Sequence, residues 1–438
     1  MLRVFNLRWP IQSFRILSRH LISTPLSVLA AKNLPDFSRQ FSSIQSINRL
    51  RNTNENDENH FDRKQAIDDH LDRILMNAKE IVREPSSNQA SIKYDLKEMI
   101  DNEILMIDQI LRQLFNTSQS INEMERIKNQ SFDRHFLRGL VVLLVAKASN
   151  PKKSKHLTRF QSKEIEENQW EFAKIVEMIY MATITHKNMR KNTLVNEIVD
   201  GESINLINNK ISVLYGDFLW AQAWKQLVSL GDVEVINLMS TVLVNISKGQ
   251  FTSEVEAIDC TEKLSIDHWM DKNYLLNSCL IAKACQSVLK LSKIDQILLQ
   301  RDAFEFGKNF GFFHLAYQEY QWIFKHSQSR KSIGLIDSID LLSLPIIIYS
   351  IEKNKSLEKM IEECQNENDR GVDYSTLFAR LDRKRLYGMV CDDNVTVQRT
   401  KEVIENFRQN SLRYLKEFPS SNAKNSIQSI LNVMSNVD

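Results

Sequence analysis

This chain is short of the residues that break helices. Its 438 residues include seven prolines and ten glycines, and no proline lies between Pro151 and Pro345. A sheet protein of that length needs many turns built on Gly and Pro, so the scarcity argues against strands and leaves helix throughout. The five cysteines (Cys260, Cys279, Cys285, Cys364, Cys391) form no CxxC pair. Cys279 and Cys285 sit in an apolar helical run, where a buried thiol is the plain reading. No HExxH is present, which argues against a zinc enzyme. A net charge of +2 gives no bias toward nucleic acid, and no run approaches the ~18 apolar residues of a membrane span.

Acid is also missing from the first 50 residues. Asp36 stands alone there against Arg3, Arg8, Arg15, Arg19, Lys32, Arg39 and Arg49. A basic, Ser-containing, amphipathic and nearly acid-free stretch has the composition of a mitochondrial transit peptide, while Arg15 and Arg19 interrupt any secretory apolar core. The expected organisation is therefore a transit peptide over 1–50, a polar linker over 51–61 ("RNTNENDENHF") and a helical domain over 62–438.

Helical spacing dominates the rest of the chain. "ILMIDQILRQLF" (104–115) carries an apolar stripe, and "FLRGLVVLLVAKA" (136–148) is apolar nearly all round, as a central helix would be. Phe172, Ile175, Ile179, Ala182 and His186 recur at steps of three or four. Further helices are predicted over 203–229, 232–247, 267–292, 296–325, 337–353, 372–388, 395–417 and 421–436. No period of 30–45 residues repeats, so a single all-α bundle is expected rather than a solenoid.

Paired carboxylates that could hold Mg²⁺ occur once in DDxxD spacing, at Asp68, Asp69 and Asp72. They sit beside the linker with no facing copy, and read as a solvated first turn. Asp392 and Asp393 read as an interhelical loop with an N-cap.

The order of segments resembles the trans-polyprenyl diphosphate synthases over roughly residues 90–436. "NNKISVLYGDFLWAQAW" (208–224) is similar to the family's GNKLAVLAGDFLLARA, with Asn209, Lys210, Val213, Leu214, Gly216, Asp217, Phe218, Leu219 and Ala221 in register. "VEMIYMATITHKNM" resembles AELIHTASLVHDDV, "RHFLRGLVVLLVAKA" the GKxxRP helix, Gly249 the EGE turn, and "SLPIIIYSI" the TLP helix. The resemblance implies a single large helical bundle of the isoprenoid synthase type around an apolar tunnel. In that fold, two aspartate-rich motifs hold Mg²⁺ and an allylic diphosphate.

The motifs themselves are gone. The first should fall on 187, 188 and 191, where Lys187, Asn188 and Lys191 stand; the second on 318, 319 and 322, where Gln318, Glu319 and Trp322 stand. The Lys-Thr pair near 276–277 is Leu276 and Asn277. Of GKxxRP only the arginine survives, so Arg138 is the remaining candidate for a diphosphate contact. Lysine offers a metal no lone pair and repels it. The pattern resembles the family's non-catalytic chains, which implies no catalytic residue and no cofactor bound here. It further implies Mg²⁺ on a catalytic synthase partner in a mitochondrial-matrix hetero-oligomer, a heterotetramer, that makes the ubiquinone side chain. Phe218, Trp220 and Trp224 exceed what one inward stripe requires and are the candidate interface. The alternative is a mitochondrial helical scaffold that binds prenyl lipid or protein without a synthase partner.

Deleting the first 54 residues should leave the protein in the cytosol; import of that shortened chain into the matrix would contradict the targeting reading.

Overall fold

The computed structural model describes residues 70–83, 94–114, 136–149, 165–187, 201–256, 265–325, 340–353, 359–360, 363 and 380–435, with no side chains for 201–208 and 252–256. The expected transit peptide, the linker, Asp68 and Asp69 lie outside these residues, as do Arg134, His135, Asn188 and Lys191. All described residues fall in one compact unit spanning Gln65–Asp438.

Every described element is helical. In chain order they are α1 (70–83), α2 (Leu96–Leu114), α3 (Leu137–Ser149), α4 (Glu167–Lys187), α5 (Gly201–Ser229) and α6 (Val233–Glu256). A long broken helix comes next: α7 (Ile266–Asn273), a π-helical turn (Tyr274–Ser278) and α8 (Cys279–Leu291). Then come α9 (Ile297–Tyr320) with a second π turn (Gln321–Lys325), α10 (Leu344–Glu352), α11 (Arg383–Asp392), α12 (Asn394–Leu415) and α13 (Asn422–Ser435).

α3 lies at the centre because nearly nothing on it prefers water. Every residue but Lys147 is buried, and the helix packs against α4, α8 and α13. α4 buries Phe172, Ile175, Ile179 and Ala182, the face expected from spacing. α8 and α9 approach most closely, and two glycines one turn apart permit it. A Cβ at Gly307 would lie 2.7 Å from the Ile281 carbonyl oxygen, and one at Gly311 2.7 Å from Ser278 Cα. Phe306, Phe310 and Phe313, on the same helix, fill the interior with ring contacts near 6 Å. α12 then covers α9, with Phe407 against Phe312 and Trp269.

Outer elements are pinned by polar contacts. Glu103 of α2 takes hydrogen bonds from Lys174 of α4 (3.3 Å) and from Gln226 of α5 (2.6 Å). Asp393 caps α12 through the Thr396 amide and hydroxyl, as its loop position suggested, and pairs with Lys353. Cys279 and Cys285 are buried and free; desolvation pushes the Cys279 thiol up to about 12.

Three expectations are revised. Gly249 is not in a turn: α6 runs through it to Glu256, and the missing side chain admits Leu275 and Leu276, whose atoms would lie 2.9 Å from a Cβ. The helix predicted from 337 begins at Leu344, because Asp340–Ser343 form a turn and Pro345 suits a first helical turn. Over 372–388, the described helix starts at Arg383 behind the cap of Asp382 and ends at Asp392.

Gly311→Val should cost about 1–3 kcal/mol or abolish folding. Gly388→Ala in α11, where nothing lies within 4 Å, should gain roughly 0.5–1 kcal/mol. Thermal melting of both variants checks the contrast.

Candidate functional site: a mouth without its clamps

The positions that correspond to the two metal clamps come from the C-terminal end of α4 and the C-terminal end of α9. Lys187 is the last residue of α4 and points to solvent. His186, before it, is lodged against α5 at Gly216, where any Cβ would overlap the imidazole. Its Nε2 lies 3.3 Å from Asp217, and Asp217 therefore pairs inside the chain. The absence of a side chain at Gly216 is thus a condition for α4 to end where it does.

On α9, Gln318 is exposed and Trp322 belongs to the π turn, packed beside the small cluster of Ile323, Tyr349 and Leu386. Glu319 turns inward. Its Oε2 accepts the Leu344 amide of α10 at 2.8 Å and the Trp269 indole N–H of α7 at 3.2 Å. Burial raises its carboxyl constant most, Asp340 adds repulsion, and the two donors and Lys187 pull the other way; the result is about 8. Asp340 keeps solvent on one side. Burial acts to raise its constant, but Lys272, Lys187, the Leu342 amide and Arg383 hold it below the ordinary carboxylate range.

Arg138 stands at the start of α3, just after Phe136, whose φ of 49° lies in the left-handed region and is strained for a bulky residue. The arginine is only 7% exposed; its guanidinium carbon sits 3.2 Å from the centre of the Tyr180 ring, and Nη1 has no hydrogen-bond partner. The neighbouring Gly139 amide donates to buried Glu177 at 2.7 Å, which caps the helix.

The fit to Mg²⁺ is decided by these contacts. A divalent ion needs several hard oxygen ligands. At the described positions it would meet one ammonium, one amide, one indole and a carboxylate whose Oε2 already takes two N–H groups. That donor set does not hold Mg²⁺. Leu276 and Asn277 lie in the first π turn, where Asn277 bonds Asn273 at 3.0 Å and offers no cation. π turns often mark functional sites, and here two of them border the mouth. Asp72 is exposed on α1, and no cluster of metal-ligating side chains forms around it among the described residues. Phe218, Trp220 and Trp224 are each half-buried against the core. Large apolar side chains that lie open on α5 and α6 are Leu214, Val228, Val233, Val244 and Phe251.

Sequence reasoning did not single out Trp269, Tyr180, Lys272 or Asp340. No local pattern ties them to the site, since Trp269, Tyr180 and Lys272 act on residues distant in the chain.

The fold is the all-α bundle of the isoprenoid synthase type. Residues 134–373 match the family described as polyprenyl synthetase, and the chain belongs to that family. It is 26% identical over 375 residues to human "All trans-polyprenyl-diphosphate synthase PDSS2", covering 83% of this chain and 86% of that one. It is 29% identical over 233 residues to decaprenyl-diphosphate synthase of Dictyostelium discoideum, covering 52% and 46% respectively. Among solved structures, heptaprenyl diphosphate synthase from Staphylococcus aureus shares the fold, with a TM-score of 0.56 at 15% identity over 78% of this chain and 99% of that one.

Because the folded-state constant of Glu319 is raised, its contribution to stability is full below about pH 4.5 and is lost as pH rises through about 8. Glu319→Gln keeps an acceptor for both N–H donors without the charge. It should match wild type near pH 4.5 and be more stable by roughly 2–5 kcal/mol above pH 8. Parallel melting curves of the two proteins across that range would refute this if their difference did not change with pH.

Proposed function

We propose that this chain is the regulatory, catalytically silent subunit of a heteromeric trans-polyprenyl diphosphate synthase in the mitochondrial matrix, supplying the ubiquinone side chain. The observation that carries the reading is the mouth. Lys187, Gln318, Glu319 and Trp322 occupy clamp positions in a bundle whose packing is otherwise complete. Ionisation of an allylic diphosphate needs metal ions to neutralise the leaving group, and this chain lacks the ligands. The metal chemistry then belongs to a partner with intact acidic motifs, which binds the Mg²⁺.

The outer face of the bundle supports an assembly. Among the described helices, α5 packs mainly against α4 and α2, and α6 against α7, the first π turn and α8. Leu214, Ala221 and Val228 are open on α5 at heptad spacing, and Val244 (64% exposed) and Phe251 (68%) are open on α6, also seven apart. Bulky apolar side chains in such rows are the kind that a subunit interface buries. Similarity to the probable hexaprenyl pyrophosphate synthase of Yarrowia lipolytica, a mitochondrial protein by name, is in keeping with the compartment. A heterotetramer would let two such chains flank two catalytic ones.

The chain expressed alone should show no long-chain prenyl transfer, and activity should appear on co-expression with a synthase that carries both acidic motifs. Val244→Glu and Phe251→Glu should lower co-purification about tenfold or more without lowering the melting temperature of the isolated chain. Phe218→Ala and Trp224→Ala should lower both, since their rings pack on the core. Transfer by the chain alone would reject the reading; wild-type co-purification of both glutamate variants would move the interface elsewhere.

A further inference from the structure

α11 is a helix against most of its local signals. Its first turn carries Arg383, Lys384 and Arg385 and no acid, although the positive end of a helix dipole favours acids. Its last residue, Asp392, puts an acid at the negative end, where the last turn holds no base. Gly388 stands mid-helix with nothing within 4 Å of a Cβ, so close packing gives no reason for a glycine there. Ten residues also fall short of the ~12–15 that an isolated helix needs. The Asp382 cap, which accepts the Arg385 amide at 2.9 Å, works in its favour.

What holds α11 is tertiary contact with the end of α9. Leu386 and Val390 are buried with Ile323 and Ile346 in the small cluster, apart from the main core. Tyr387 Oη donates to the Ile323 carbonyl at 2.7 Å, and Cys391 Sγ lies 3.4 Å from the same oxygen. That carbonyl belongs to the second π turn, where the wider hydrogen-bond spacing departs from the α-helical ladder. The turn takes donors from α11, and α11 is kept helical by the turn.

We propose that α11 and the second π turn form one switching unit, a strap on the lip of the mouth that opens and closes together while the body of α9 stays folded. When α11 lifts, the Ile323 carbonyl loses its two side-chain donors, and Leu386 and Val390 leave the small cluster. The main core, to which neither belongs, keeps its packing. Openings of this kind are drawn from the least stable part of a fold, where local signals and tertiary contacts disagree. The unit is defined by packing and stands whether or not the synthase reading holds.

The test is hydrogen exchange of the full chain, read by mass spectrometry. In wild type, the amides of 321–325 and 383–392 should share one protection factor, about tenfold or more below that of residues 297–318. Gly388→Ala should slow exchange in both segments by the same factor, about threefold, although it lies in only one of them. Tyr387→Phe should speed both about fivefold, the worth of one hydrogen bond. Residues 297–318 should be unchanged in either variant. Slowing confined to 383–392 would uncouple the strap from the turn and overturn the proposal. So would 321–325 protected as fully as 297–318, or a Gly388→Ala effect spread evenly over all of α9, which is global unfolding.

Discussion

Two hydrogen bonds to one carboxylate oxygen organise the end of this bundle. Trp269 and Leu344 both donate to Glu319 Oε2, and through it α7, α9 and α10 share one anchor. A buried carboxylic group is costly unless its oxygens are used, and an indole and a helix-starting amide use them well. The same commitment removes that oxygen from any metal. Glu319 thus acts as a pin facing inward, and the π turn after it packs Trp322 beside the cluster of Ile323, Tyr349 and Leu386.

Around this anchor, the frame is held by packing. The α8–α9 contact depends on Gly307 and Gly311, and the aromatic rings of α9 fill the space between α8 and α12. None of these side chains needs a metal or a substrate to be satisfied. The α4–α5 contact depends on Gly216 accepting the His186 ring, and α5 is held from the outside by Glu103. The segment most similar to the family, 208–224, is therefore similar for reasons of packing. Gly216 and Asp217 both have a structural partner in His186.

Most of the fold was legible in the sequence, because proline scarcity and period-3.6 spacing both act locally. The all-round apolar pattern of 136–148 marked the central helix, and "DDNV" marked the cap at Asp393. Boundaries failed where competing signals met. The resemblance places Gly249 in a turn, but its role is close approach to Leu275 and Leu276, from the broken helix that follows. At the site, Lys187 and Glu319 were visible by position. What they do was not, since Glu319's partners are Trp269 and Leu344, and no spacing rule joins them. Arg138 stands out in the sequence as a candidate diphosphate contact, but its place against the Tyr180 ring follows only from the packing of α3 on α4.

Electrostatics supplies the last step. Six carboxylates drawn together at the mouth of a helical bundle repel one another, and in the absence of cations each would be driven toward protonation or would loosen the helices that carry it. A metal-binding chain accepts that strain because the ions relieve it. A chain that never binds the ions gains nothing from it, and its stability would depend on a ligand it does not use. Replacing acids by lysine, glutamine and tryptophan, while keeping Glu319 as a hydrogen-bond acceptor, removes the dependence. The negative charge that remains at Asp340 meets Lys187, Lys272 and Arg383.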